Sequence, residues 1–489
     1  MKYLLGIDFG GGSSKTTLIS AKGTVLAENT VEYPTLHPTP GGCEQRAEDW
    51  VQALCENTAA ILRLSGADPR DIAAVAVDSA THSFLPCDGD FRPLRAAIHW
   101  TDSRSTADAA ALNRELGDLI YEKTFHRPGT IWTLPQLIWL KKTEPDLYER
   151  IRYIFFEKDY LRFFLTGKYY TDYIEASGSM LFDCRKRIWD EELCAIAGLP
   201  TSALPPVISP LDNAGSVTAD AAAATGLCEG TPVICGTTDT ALEVFASGAV
   251  RPGDMTVKLA TAGRICVITE KATPDAQLVT YPHVVPGLWY PGTATKAAAS
   301  SLRWYRDTFG GDYASIDAEA MRVPVGSEGL LYHPYINGEL TPYGDPALCG
   351  SFTGIRASHG RGHFNRAVME GVAFSLLDSK LYLDSLHIPH ADTATVIGGG
   401  AKGKVWRQIL SDTLGMPLRM TENSDSSLGS AMLAGVAAGV FADAADAVRV
   451  CVRETGVTDP IPENTEIYRR LFQKYKRIHD ALCDVYHEF

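Results

Sequence analysis

Apolar residues near the start of the chain come in short runs cut by glycine. Tyr3 to Asp8 (YLLGID) leads into Gly10-Gly11-Gly12-Ser13-Ser14; Lys15 to Ser20 (KTTLIS) follows, and a Lys22-Gly23 turn precedes Val25 to Ala27. The pattern predicts a meander of three strands whose first turn is glycine-rich. Ala47, Trp50, Val51, Leu54, Thr58, Ile61 and Leu62 then recur at helical spacing and predict an amphipathic helix within 41–66. Ile72 to Val77 (IAAVAV) is apolar on both faces and reads as a buried strand, with Asp78-Ser79-Ala80-Thr81-His82 at its exit. Ile98 to Arg104 (IHWTDSR) places Trp100 and Asp102 beyond another strand end, and helical runs follow around Leu137 and from Lys158. Val233-Ile234-Cys235 runs into Gly236-Thr237-Thr238, and Asp239 stands at the head of a small-residue segment that reads as helix.

The second half restarts this pattern. GAVRPG, from Gly248 to Gly253, interrupts the apolar order and divides the chain into an N-terminal domain, 1–248, and a C-terminal one, 249–489. Met255 to Ala260, Thr261-Ala262-Gly263 and Arg264 to Ile268 repeat the strand, small-residue turn and strand of the opening. Helices are expected over 296–307 and 364–386. A strand at Ala394 to Ile397 feeds Gly398-Gly399-Gly400-Ala401 and a helix from about Val405. A duplicated α/β unit with a cleft between the copies is the architecture this implies.

A length of 489 residues exceeds what one ordinary core holds, which agrees with two domains. The 45% hydrophobic and 21% charged residues describe a globular chain. A formal net charge of −14 argues against nucleic acid or a membrane surface as partner, since both call for a basic face. The 11 cysteines lack C-x-x-C or metal-like Cys/His spacing and read as thiols of a reducing compartment, oxidised pairs being the alternative. With no basic-then-apolar leader and no spanning apolar run, a cytoplasmic enzyme is expected.

Local chemistry narrows the reading. A carboxylate at a strand-to-helix junction is rigidly held, and the helix N-terminus favours its ionised form, which suits Asp239 to act as a general base; Asp is also an ordinary N-cap residue. Glycine turns let backbone N–H groups converge on an anion, and strand, triple glycine, helix brings a backbone close to a nucleotide. The first turn is neither a P-loop nor G-x-G-x-x-G, and a dinucleotide oxidoreductase is the reading set behind the others. Aromatic faces beside fixed polar groups, as at Thr81, His82, Trp100 and Asp102, are a common way to grip a sugar.

Taken in order, IDFGGGSSK, GTTDTALEVFASGAV, LATAGR, PYINGELTPYGDP and GGGAKGKVWRQILSD resemble the FGGY carbohydrate kinase family over nearly the whole chain. VDSATHSF, IHWTDSR, EKDYLRFFLTGKYYTD and GGCEQRAEDW are most similar to its xylulokinase branch. The resemblance implies two ribonuclease-H-like domains of the actin/hexokinase superfamily with a catalytic cleft between them, closing around a sugar and ATP with Mg²⁺. It implies Asp239 as general base and sugar contact, with Asp8, joined by Asp239, at the metal. It implies Thr81 and His82, with Trp100 and Asp102 nearby, at the sugar. For the nucleotide it implies Gly10, Gly11, Gly12 and Ser13 in one phosphate turn, Thr261 and Gly263 in the other, and Gly399, Gly400 and Ala401 at adenosine. D-xylulose is the leading substrate, with other ketopentoses, sugar acids and polyols behind it. A homodimer stays open as an assembly, and a non-catalytic actin-like ATP-binding protein is the contrasting reading. Gly11 and Gly12 replace the family's hydroxyl residues, Ala260 and Ala262 its Gly and Ser, and Leu340 its Arg, and the Gln-Met before His82 is absent.

Overall fold

The computed structural model describes residues 2–489, which divide into two compact units. The first contains 2–250, 281–288 and 423–452; the second contains 251–280, 289–422 and 453–489. The division expected at 248/249 therefore runs close to the first crossing, but two later stretches return to the first unit.

In the first unit, β1 (Tyr3–Phe9), β2 (Ser13–Ser20) and β3 (Val25–Glu32) form the antiparallel meander read from the sequence. Helix α1 (Ala47–Ser65) buries Trp50, Leu54 and Ile61 on one face and ends at Gly66, whose φ of 64° lets its N–H reach the Leu62 carbonyl. Next comes β4 (Ile72–Ser79), parallel to β1 and almost wholly buried, as a continuous apolar run requires. β5 (Asn213–Ser216) and β6 (Pro232–Ile234) complete the sheet in the order β5-β6-β4-β1-β2-β3, with β6 parallel to β4. Helix α2 (Asp239–Ala246) follows β6 directly. Leu5, Ile7, Trp50, Leu54, Val75, Val77 and Val233 lie in the core beneath this sheet, each large aliphatic side chain contributing about 1.5–3 kcal/mol by burial.

The second unit repeats the plan. β7 (Met255–Leu259), β8 (Gly263–Val267) and β9 (Trp289–Gly292) are antiparallel. Helix α3 (Arg361–Ser385) precedes β10 (Ala394–Ile397), which is parallel to β7; α4 (Lys404–Leu414) and β11 (Leu418–Thr421), parallel to β10, come next. Helix α5 (Ser426–Ala437) belongs to the first unit; β12 (Glu454–Thr458) then closes the second, seven-stranded sheet, whose order after an outer strand Val279–Pro282 is β9-β8-β7-β10-β11-β12, and α6 (Pro462–Tyr486) is the last helix. Val257, Ile265, Phe374, Trp406, Leu410 and Tyr475 share its core. Among the described residues, no helix is long and apolar enough to cross a membrane.

Candidate active site

Three parallel strands of the first unit, β1, β4 and β6, end side by side, and a carboxylate stands at each exit. Asp8 and Asp78 are register partners on β1 and β4. The pairing of β4 with β6 extends through Ser79 and Thr238 to the start of α2, where Asp239 is half-buried. Gly236 makes this junction possible: its φ is 71°, and a Cβ there would lie 2.0 Å from the Val77 carbonyl oxygen. The Thr240 N–H and hydroxyl donate to Asp239 Oδ1 at 2.5 and 3.2 Å and fix the carboxylate at the helix N-terminus.

Burial pushes the Asp8 carboxyl up to about 7, and the nearby Asp239 and Glu243 carboxylates push the same way. Asp78, absent from the sequence-derived site, is fully buried; desolvation and the charge of Asp8 hold it well above the ordinary carboxylate range. The two carboxyls lie close enough to act on each other's ionisation, Ser426 lies close enough to favour the charged form of Asp8, and the Ser430 hydroxyl donates to Asp78 Oδ2. Both serines come from α5, which approaches so closely that a Cβ on Gly6 of β1 would lie 1.9 Å from the Ser427 carbonyl oxygen. Asp8 Oδ1 and Asp78 Oδ1 remain buried without a hydrogen-bond partner. Hard, oxygen-only donors left in this state fit a divalent cation such as Mg²⁺. Glu157, also buried and held far above its usual range by desolvation, adds a fourth carboxyl that sequence reasoning missed.

Just beyond β4, His82 adopts a φ of 73°, a conformation that non-glycine residues rarely take. Its N–H donates to Glu175 Oε1 at 2.9 Å, and the Thr133 hydroxyl donates to its carbonyl. The imidazole Nε2 lies 2.9 Å from the Tyr281 hydroxyl and the ring packs 4.8 Å from Trp132; His126 packs against both aromatics. Position 178 must be glycine, since a Cβ there would sit 1.7 Å from the His82 ring. Thr81 is half-buried beside it, and Trp100 is 37% exposed on the loop after the strand Ala97–Ile98. Asp102 differs from expectation. It is 1% exposed, and its carboxylate accepts the Cys43 N–H at 2.8 Å, the Arg104 N–H at 3.0 Å and the Arg104 guanidinium, so it braces the loop instead of presenting an acceptor to a sugar.

The glycine turn lies against that same loop, Gly11 facing the His99 ring. The Gly10 N–H bonds the Ser13 carbonyl; Gly11 O accepts from Thr35 and Gln45, and Gly12 O accepts the Tyr33 N–H. The turn comprises 10–12, with Ser13 already in β2.

In the second unit, the 260–262 turn and the 398–401 segment meet at Leu259. A Cβ on Gly398 would lie 2.7 Å from the Leu259 carbonyl oxygen, and one on Gly400 2.7 Å from its Cγ. Thr261 O accepts the Ala298 N–H and Ser300 hydroxyl; its own hydroxyl accepts from Arg303 at 3.3 Å, and the Gly263 N–H bonds Thr295. The expected direct step from glycines to helix is broken by a short 3₁₀ turn over Gly399–Lys402, so α4 begins at Lys404. Ala401 is buried in that turn and its carbonyl accepts from Arg407.

A doubled mixed sheet with carboxylates at the strand ends of one unit, and small-residue turns in both, defines a two-domain α/β kinase of the actin and hexokinase type. The chain belongs to the FGGY family of carbohydrate kinases: residues 3–246 match that family's N-terminal domain and 261–438 its C-terminal domain. It is 33% identical to the xylulose kinase of Bacillus subtilis (strain 168) over 99% of this chain and 98% of that one. It is 29% identical to the same organism's gluconokinase over 96% of this chain and 94% of the other. The crystal structure of xylulose kinase from Rhodospirillum rubrum superimposes with a TM-score of 0.92 at 30% identity, covering 99% of this chain and 100% of that one.

Proposed function

We propose that this carbohydrate kinase transfers the γ-phosphoryl group of ATP to a hydroxyl of D-xylulose, giving D-xylulose 5-phosphate, with Asp239 as general base. The observation that carries the base assignment is the placement of Asp239: an oriented, half-buried carboxylate at a helix N-terminus, beside the exits of β1 and β4. From there it takes the proton of the attacking hydroxyl. Thr81, His82 and Trp100 bind the sugar; the Tyr281 and Trp132 contacts hold the imidazole in one orientation, and Glu175 holds the His82 backbone. Asp102 acts on this wall indirectly, through Arg104 and Cys43. Asp8 and Asp239 would hold Mg²⁺, with Asp78 to assist, and the ion would supply neutralisation of phosphate charge to a transfer that rests on alignment and electrostatics. The turns at Gly10, Gly11, Gly12 and Ser13 and at Thr261 and Gly263 take the phosphates, and Gly399, Gly400 and Ala401 the adenosine.

Two observations support the xylulose reading: full-length similarity to xylulose kinases, and the packing of His82, which the resemblance assigns to the sugar, against the Trp132 and Tyr281 rings. Full-length similarity to gluconokinases makes gluconate the second substrate to try. The test measures ATP-dependent ADP release with Mg²⁺ across ketopentoses, aldoses, sugar acids and polyols. Turnover concentrated on D-xylulose is the expected result; a higher kcat/KM on gluconate would transfer the assignment. Silence on every sugar, with ATP still bound, would support the binding-only reading.

A further inference from the structure

We infer that Asp345, Cys483 and His487, all in the second unit, form a zinc-binding site that joins the end of α6 to the loop following Glu339. One ligand atom from each residue lies within 4.8 Å of the other two. Cys483 and His487 are four residues apart at the C-terminal end of α6, a spacing that puts both donors on one helix face. Asp345 meets them from a loop that is itself fixed: the backbones of Glu339 and Asp345 exchange two hydrogen bonds of 2.9 Å, and the Ala347 N–H donates to Asp345 Oδ1 at 2.9 Å. This leaves Oδ2 directed at His487 Nε2, 2.7 Å away.

The donor set identifies the ion. One sulfur, one imidazole nitrogen and one carboxylate oxygen suit Zn²⁺, whereas Mg²⁺ and Ca²⁺ prefer oxygen alone. Zinc bonds of about 2.0–2.3 Å set their donors roughly 3.5 Å apart, so the Asp345 and His487 atoms, 2.7 Å apart, must open by somewhat under an ångström and the wider separations close by about an ångström. His487, half exposed at the helix end, has the freedom to move that far. Asp480 and Asp484 lie close enough to act electrostatically on Cys483, so the surroundings attract a cation. In the absence of metal the thiol keeps its proton and His487 pairs with Asp345. On binding, the Cys483 proton is released and the imidazole nitrogen exchanges its carboxylate partner for the ion. Water would complete a tetrahedral shell, and the helix end would then be cross-linked to the loop.

Co²⁺ titration of the full-length protein tests this, because a cobalt-thiolate bond gives a charge-transfer absorption that oxygen and nitrogen ligands do not. The expected result is one equivalent of Co²⁺ with that band, bleached by Zn²⁺. Cys483→Ser should lose the band while keeping the metal-free thermal midpoint of the native chain, and His487→Gln should weaken Co²⁺ binding by about tenfold or more. Zn²⁺ should raise the thermal midpoint of the native chain and leave that of Cys483→Ser unchanged. A native chain without the band would overturn the site. So would a band surviving in Cys483→Ser, which would put the metal on another cysteine, or equal zinc stabilisation of the native chain and His487→Gln.

Discussion

Asp239 combines two properties that a general base needs, a fixed direction and an ionised state favoured by the helix behind it. Replacing it by asparagine keeps the size and a hydrogen-bonding oxygen but removes the proton acceptor. Asp239→Asn is therefore expected to slow phosphoryl transfer by about 10²–10⁴-fold. ATP binding, followed by calorimetry, should stay within a few-fold of native. A variant retaining more than about a tenth of the native rate would remove Asp239 from the role. At this scale the sequence was readable where a residue type is rare for its setting, as with a carboxylate at a strand end. Asp78 was visible at such an end, but its pairing with Asp8 depends on the parallel register of β1 and β4, which 62 intervening residues conceal. Asp102 shows the opposite case: its type and place fitted a sugar contact, and only the approach of Cys43 and Arg104 reveals that its oxygens are occupied.

Elements with a strong period were legible, among them the opening meander, α1, β4 and the strand-glycine-helix segment near Gly398. The sequence could not show what each element covers. Helix α5 is apolar and small on most of its surface, and that composition fits the Gly6 contact only once the sheet is known. In the sequence Gly236 only follows the apolar run Val233–Cys235, yet it is the point at which β6 leaves the sheet and swings Asp239 into place. Gly236→Ala would face both a left-handed backbone and a Cβ 2.0 Å from Val77 O, so the chain must shift. A loss of about 1–3 kcal/mol is expected in urea unfolding, from strain alone. Because the shift falls three residues before Asp239, kcat should also drop, by tenfold or more if an ångström of misplacement follows, given the roughly 10²-fold such errors can cost. Native stability and kcat in the alanine variant would show that the junction tolerates a side chain.

At the scale of the whole molecule, two cores are built on one repeated topology, and both contain histidines kept from water. Burial lowers the pKa of His99 to about 4 and of His283 to about 3 in the first unit, and of His333 to about 4 in the second. The unfolded chain, in which histidine titrates near 6.5, binds more protons than the folded one between these values. Stability contributed by the neutral rings is thus fully present above about pH 6.5 and is lost as pH falls towards 4. His333 isolates one such ring, far in sequence from the proposed sugar and nucleotide residues: it stacks on Tyr475 at 4.1 Å and its Nε2 meets the Tyr475 carbonyl at 3.1 Å. For a shift from 6.5 to about 4, lowering the pH from 7 to 4.5 costs the native chain about 2.5 kcal/mol through this residue. His333→Gln can keep a donor to Tyr475 but cannot take up the proton. It should be less stable than the native chain at pH 7, and the gap in urea midpoints should shrink or reverse at pH 4.5. A gap of constant size across that range would mean that the folded protein accommodates a charged His333. Raised carboxyls such as Asp8 and Glu339 act in the opposite sense, binding protons in the folded state as pH falls through about 7. They are present in both proteins, so the difference between the two pH profiles reports His333 alone.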